Sequence, residues 1–328
     1  MKKQIAVIGL ALCSLLLAPC SSVQAQQPGR IFRIGFLDPS TASGSAVLVK
    51  AFLQELSKLG WLEGKNFTIE YRFGENKGTP RLSALAAELV NLKVDLIVVL
   101  GRVAGLAAKN TTTTIPIVMM NFPDPVGAGM VGSLARPGGN VTGLTGLNPE
   151  LNTKRLEILK DVIPKLTRVG LLQAPQGFVT QMKELRAAAV ALKLNLVEIE
   201  TEADKGLEVA FQTAKKKQAK AIAITGFRRF FTERKRIVEL AGKYRFPAIY
   251  PQKEFVDEGG LMSYGADNVD LYRSAAVYVD KILKGAKPAD LPVQQATKFE
   301  FIINLKAAKQ IGLTIPPEVL ARANLVIK

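Results

Sequence analysis

Two kinds of apolar run alternate along this chain. IFRIGFL (31–37), DLIVVLG (95–101) and IPIVMMN (115–121) are continuous apolar stretches, the pattern of strands buried on both faces of a parallel sheet. Between them the period lengthens. Val47, Leu48, Ala51, Phe52, Leu56 and Leu59 predict a helix over 44–60 that lays one face on a sheet. Thr79-Pro80 opens a helix over 81–92, because threonine caps and proline suits a first turn, and 103–109 reads as a short third helix. NFTIEYRF (66–73) alternates, with Phe67, Ile69 and Tyr71 on one face, and reads as a strand.

The rhythm resumes after NPELNTKRLEILKDVIP. Strands are expected at TRVGLLQ (167–173), LNLVEIE (194–200), KAIAITG (220–226) and FPAIYP (246–251), with helices over 179–192, 206–217 and 232–244 between them. Strand–helix alternation builds parallel sheets with helices on both faces, so the fold class is α/β with two doubly wound parallel-sheet lobes. The tail departs from this beat, with a strand at 259–265, a helix over 269–284 and extended pieces at 291–293 and 299–303. Extra elements after a complete second lobe imply that the chain crosses back.

GAGMVG at 127–132 has the G-x-G-x-x-G spacing of a dinucleotide-binding loop. Its surroundings argue against that use. Pro123-Asp124-Pro125 separates the glycines from the preceding strand, and Arg136-Pro137-Gly138-Gly139 would end any helix before it could present its N-terminus to a pyrophosphate. No cofactor is therefore expected. Gly127, Gly129 and Gly132 read instead as close packing for a short helix, with Pro137 to Asn140 turning into strand VTGLTGL. Asp124 then stands at the carboxyl end of a parallel strand, the edge where open α/β sheets bind ligands.

The first 25 residues change the picture of where the protein works. Lys2 and Lys3, the apolar run from Ile5 to Ala18 and Val23-Gln24-Ala25 make a secretory signal peptide (1–25). Leu17-Ala18-Pro19-Cys20 offers a competing lipoprotein signal anchored at Cys20, for which the proline is a poor fit. Both cysteines, Cys13 and Cys20, lie inside this segment, and the chain has no histidine. Ser-His-Asp and Cys-His nucleophilic sites and His- or Cys-ligated zinc are thereby excluded from the mature protein, which leaves carboxylate chemistry, a lysine Schiff base, an oxygen-ligated metal or no chemistry; no metal site is picked out. The chain carries 44 basic and 28 acidic side chains, a net charge of +16. The basic residues are spread out, without interleaved aromatic stacking repeats, so nucleic acid is not the expected partner; solvated helix faces and attraction to an anionic membrane surface account for the charge.

DPVGAGMVGSLARPGGNVTGLTGL, LMSYGADNVDLYRSAAVYVDKILKGAKPADLP and KFEFIINLKAAKQIGLTIPPEVLARANLVIK together resemble the ABC transporter substrate-binding protein family that includes tryptophan- and tyrosine-binding proteins. The likeness runs from IFRIGFLD to the C-terminus. It implies a type I periplasmic binding fold: two lobes joined by a three-segment hinge, closing on a small molecule and delivering it to an ABC permease and its ATPase. Crossings are expected near Leu147-Asn148, near Tyr264-Gly265 and between Gly285 and Leu291. The N-terminal lobe is then 30–147 plus 265–285, and the C-terminal lobe 148–264 plus 286–328. An amino acid, which could be an aromatic one, is the favoured ligand, with another small carboxylate as the alternative; a monomer in the periplasm is expected.

Ligand contacts should come from strand ends on both sides of the cleft. From the first lobe these are Ser40, Thr41 and Ser43, Gly101 and Arg102, and Asp124; from the second, Gln173 and Ala174, Gly226 and Phe227, Tyr250, and Tyr264 near a hinge. Ser40 to Ser43 could equally cap the helix that follows, Asp124 could stiffen a turn, and the two tyrosines could be core residues. Arg102 could pair bidentately with a ligand carboxylate or phosphate. Two other outputs stay open: a receptor for a membrane sensor or chemoreceptor without transport, and an exported enzyme using carboxylates such as Asp124 with Glu150 or Asp257 with Glu258.

Overall fold

The structure is a computed structural model that describes residues 30–173, 179–201 and 206–328. The first lobe is built from β1 (Phe32–Asp38), α1 (Ala42–Lys58), β2 (Phe67–Phe73), α2 (Thr79–Asn91), β3 (Leu96–Leu100), α3 (Gly101–Thr111), β4 (Ile117–Pro123) and β5 (Val141–Gly146). The second comprises α4 (Asn148–Val162), β6 (Arg168–Gln173), α5 (Val179–Ala191), β7 (Asn195–Glu200), α6 (Gly206–Lys216), β8 (Ala221–Ile224), α7 (Arg228–Thr232), α8 (Arg234–Lys243), β9 (Ala248–Tyr250), α9 (Glu254–Asp257) and β10 (Met262–Ala266). There follow α10 (Asn268–Leu283), β11 (Gln294–Gln295), β12 (Phe299–Asn304), α11 (Leu305–Ile311), α12 (Pro317–Leu320) and β13 (Leu325–Ile327).

The strand order is β11-β5-β4-β3-β1-β2 in the first sheet and β13-β12-β10-β9-β8-β6-β7 in the second. All pairings are parallel except β10 with β12. The two lobes thus share one winding. In each the order reverses beside its first strand, next to β1 and next to β6, which makes a switch-point crevice at the carboxyl edge.

The continuous apolar strands are explained by the layers. Leu96, Val98 and Leu100 of β3 face α1 and α10 with Phe52, Leu56 and Ala275, while Ile97 and Val99 face α2 and α3 with Leu85, Leu89 and Ala104. Alternate side chains enter opposite cores, so neither face is free to be polar. The second sheet is covered likewise, by α4 and α5 on one side and by α6 and α8 on the other.

Three expectations are corrected. The chain does not leave the first lobe between Gly285 and Leu291: Gln294 and Gln295 pair with Leu144 and Thr145 of β5, and the crossing comes between Gln295 and Phe299. β5 would otherwise be the edge strand of this sheet, and β11 covers it. The glycine run 127–132 forms turns rather than a short helix. Gly129 sits at φ +68°, and a Cβ on Gly127 would run into the Asp124 carboxylate. The helix expected over 232–244 is broken at Glu233 into α7 and α8. The signal peptide lies outside the described residues. Among those described, no helix is long and apolar enough to cross a membrane.

Candidate functional site

A cavity of about 180 Å³ lies between the lobes at the carboxyl edges of both sheets. Its wall takes Pro39 from the end of β1, Leu100 to Val103 from the β3–α3 junction and Met120 and Asn121 from β4; the second lobe supplies Gly226 to Arg229, Phe231 and Pro251. Those positions are the two switch points, which is why strand-end reasoning from sequence reached part of the wall. Gly101, Arg102, Gly226 and Phe227 all line it.

The remaining expected residues are placed elsewhere. Thr41 caps α1, its hydroxyl accepting from the Gly44 amide at 3.1 Å, and Ser43 is exposed beside it. Ser40 is fully buried and donates to Asp38 at 2.8 Å. Asp124 is exposed, at φ +44°, and accepts from the Gly127 amide at 2.8 Å; its carboxylate holds its own turn instead of facing the cavity. Tyr250 is a core residue, its ring stacked 5.0 Å from that of Phe255, and burial pushes its hydroxyl pKa up. Tyr264 packs edge-on to Phe301 and contributes only its carbonyl to the neighbourhood of the cleft. Gln173 is buried in its lobe, off the cavity wall. Ala174 lies outside the described residues.

What sequence reading missed is an ion pair between the lobes. Asp38, at the end of β1, is fully buried. Both of its oxygens are met by Arg228 at the start of α7, Nη2 to Oδ2 at 2.8 Å and Nε to Oδ1 at 3.2 Å. The Ser40 amide, the Ser40 hydroxyl and the Ser45 hydroxyl also donate to the same carboxylate. Burial pushes its pKa up, but the Arg228 charge and these hydrogen bonds outweigh that and hold it below the ordinary 3.8. Arg228 lies 4.8 Å from the ring centre of Phe231, and Arg234 5.0 Å from the same ring. Because Asp38 and Arg228 belong to different lobes, this bidentate pair ties the two lobes to one another.

A second arginine was missed for a different reason. Arg155 lies on α4, just past the first crossing, in a segment whose sequence offered no strand end to draw attention. It is among the largest fully buried side chains and also reaches the cavity wall. Nε donates to the Tyr264 carbonyl at 2.7 Å, Nη1 to Asn152 Oδ1 at 2.5 Å and Nη2 to the Pro251 carbonyl at 3.4 Å. Burial pulls its pKa down to about 9, so it is charged at neutral pH. Gly265 is required here, since a Cβ would stand 1.8 Å from the Pro251 carbonyl oxygen.

Residues 41–327 match the family model described as ABC transporter substrate binding protein. The chain belongs to that family. A tyrosine-binding protein of Clostridioides difficile (strain R20291) is 27% identical over 273 residues, covering 80% of this chain and 76% of the relative. Among solved structures, a conserved domain protein from Vibrio cholerae superposes with a TM-score of 0.84 at 28% identity, covering 90% of this chain and all of that one. An ABC domain from Streptococcus pneumoniae in complex with L-Trp gives a TM-score of 0.82 at 26% identity with the same coverage. The family's fold is the type I periplasmic binding fold, and its members are substrate-binding proteins.

Proposed function

We propose that this protein is the extracytoplasmic receptor of an ABC importer, capturing one small molecule between its lobes and presenting it to an inner-membrane permease and its ATPase. The observation that carries this reading is the cavity itself. It is walled by the switch-point loops of both lobes, so an occupant contacts both only when they are shut. Ligand then favours the closed state by the contacts it makes there and nowhere else. At about 180 Å³ the cavity is smaller than the roughly 300–1,000 Å³ usual for drug-sized ligands, which suits a metabolite of amino-acid size. Relatives that bind tyrosine and L-Trp point to an aromatic molecule.

An enzymatic role finds no support in the site. Asp124, Glu150, Asp257 and Glu258 are all off the cavity wall, and no acidic residue among those described lines it. The expected behaviour is binding without turnover. Isothermal titration against amino acids, small carboxylates, nucleosides and sugars should find one chemical class bound at one site, recovered unchanged after incubation. Conversion of the bound compound, or binding at the lobe surfaces while the cleft stays open in solution, would sink the receptor reading. Pull-down of a permease by the ligand-loaded protein, compared with a membrane sensor, decides between transport and signalling.

A further inference from the structure

The cavity wall has a one-sided charge. Arg102, Arg155, Arg228 and Arg229 line it, and among the described residues no aspartate or glutamate does. Arg228 is neutralised within the protein by Asp38 at 2.8 Å and Arg229 by Glu233 at 2.6 Å. Arg155 is not: its acceptors are two backbone carbonyls and an amide oxygen, all neutral. A guanidinium carries five N–H donors, and these three bonds leave two to spare. A buried cation without a counter-ion is costly, and an anion in the adjoining cavity would supply one. The first turn of α3 adds to the same field. Gly101 to Val103 lie on the wall, and no side chain caps that helix at Leu100.

An amino acid brings an ammonium as well as a carboxylate, and among the described residues the ammonium finds no anionic partner on the wall. Asp38 already accepts from Ser40, Ser45 and both Arg228 donors, which fills its lone-pair sites. Asp124 is turned onto the Gly127 amide, and Asp267 onto the Asp270 amide as the cap of α10. Glu254 lies off the wall, and burial raises its pKa. The rest of the wall is largely apolar, with Leu48, Leu100, Met120, Phe227 and Phe231 available to a hydrophobic body.

We propose that the cleft selects small organic carboxylates with an apolar body and no ammonium group, and that Arg155 is the residue that receives the carboxylate. This rests on the receptor reading and names its ligand class. Three matched triples test it by isothermal titration: 3-phenylpropanoate, its amide and L-phenylalanine; indole-3-propanoate, its amide and L-tryptophan; and 4-methylpentanoate, its amide and L-leucine. The expected result is that at least one acid binds about tenfold or more tighter than its own amide and its own amino acid. The wild-type protein alone decides this, so a folding defect in a variant cannot obscure it. Arg155→Lys should then reduce the preference of acid over amide while its circular dichroism and melting cooperativity stay those of the parent. Tighter binding of an amino acid than of its acid overturns the proposal and leaves the receptor reading standing. Failure of all three acids to bind, with a neutral sugar or nucleoside captured instead, overturns it in the same way. Silence toward the triples and the wider library together overturns both.

Discussion

Asp38 and Arg228 are the residues whose replacement should be felt first. Asp38→Asn keeps the side-chain shape and one acceptor but strands the Arg228 charge, of which only 16% of the side chain reaches solvent. Breaking a buried pair from one side costs about 3–5 kcal/mol, and the lower end applies while that fraction stays wet. Because the pair joins the lobes, much of the loss should appear as opening: urea unfolding would show a loss of about 3 kcal/mol, and small-angle scattering a larger radius of gyration for the ligand-free variant. The same carboxylate sets a pH dependence. Its folded pKa lies below the ordinary 3.8, so its stabilisation is complete above that value and is lost as pH falls through the lowered one. Thermal melting from about pH 6 down to about pH 2 should therefore fall more steeply for the parent than for Asp38→Asn; parallel curves would show that the pair contributes nothing.

At the scale of elements, the returning helix α10 decides how the second crossing is anchored. Its long apolar face packs on α1, and Trp61 Nε1 donates to the buried Asp280 carboxylate at 2.8 Å. Trp61→Phe keeps an aromatic ring but removes that donor, leaving Asp280 Oδ1 to Lys284 at 2.6 Å, and should lower the free energy of unfolding by about 1 kcal/mol in urea titration. The β9–β10 region gives a sharper case. Gly265→Ala places a methyl against the Pro251 carbonyl, backbone that can yield only by moving a strand. A loss of at least about 2 kcal/mol is expected, together with weakened ligand binding, because the Arg155 seat is made of the same Pro251 and Tyr264 carbonyls. A Gly265→Ala protein with unchanged stability and affinity would mean that the seat is more compliant than its geometry implies.

For the whole molecule the governing quantity is the balance between open and shut. Ligand at about 100 times its dissociation constant should raise the stability by roughly 2.7 kcal/mol, read as a shift in the denaturant midpoint. If the inter-lobe Asp38–Arg228 pair favours closure without ligand, the added compaction on binding should be smaller in the parent than in Asp38→Asn. Equal compaction in both would place the pair outside the closing motion.

The periodicities were enough to reveal an α/β chain of two similar lobes, because a strand sandwiched between helix layers must be apolar on both faces and the helices that cover it must be apolar on one. Strand ends such as Gly101-Arg102 and Gly226-Phe227 could be read for the same reason, as the first residues beyond each apolar run. Local pattern did not distinguish Thr41 or Asp124 as caps from ligand contacts, since a short polar side chain at a strand end serves either purpose and only its nearest amide settles which. Nor could it show the chain remaining in the first lobe through Gln295, a matter of which distant edge strand is unpaired. Asp38 with Arg228, 190 residues apart in sequence, and Arg155 with the Tyr264 carbonyl, 109 apart, were decided by tertiary structure alone. A charge has no periodicity to declare its partner, so its role emerges only when folding removes water from around it and leaves one counter-charge, or none, within reach.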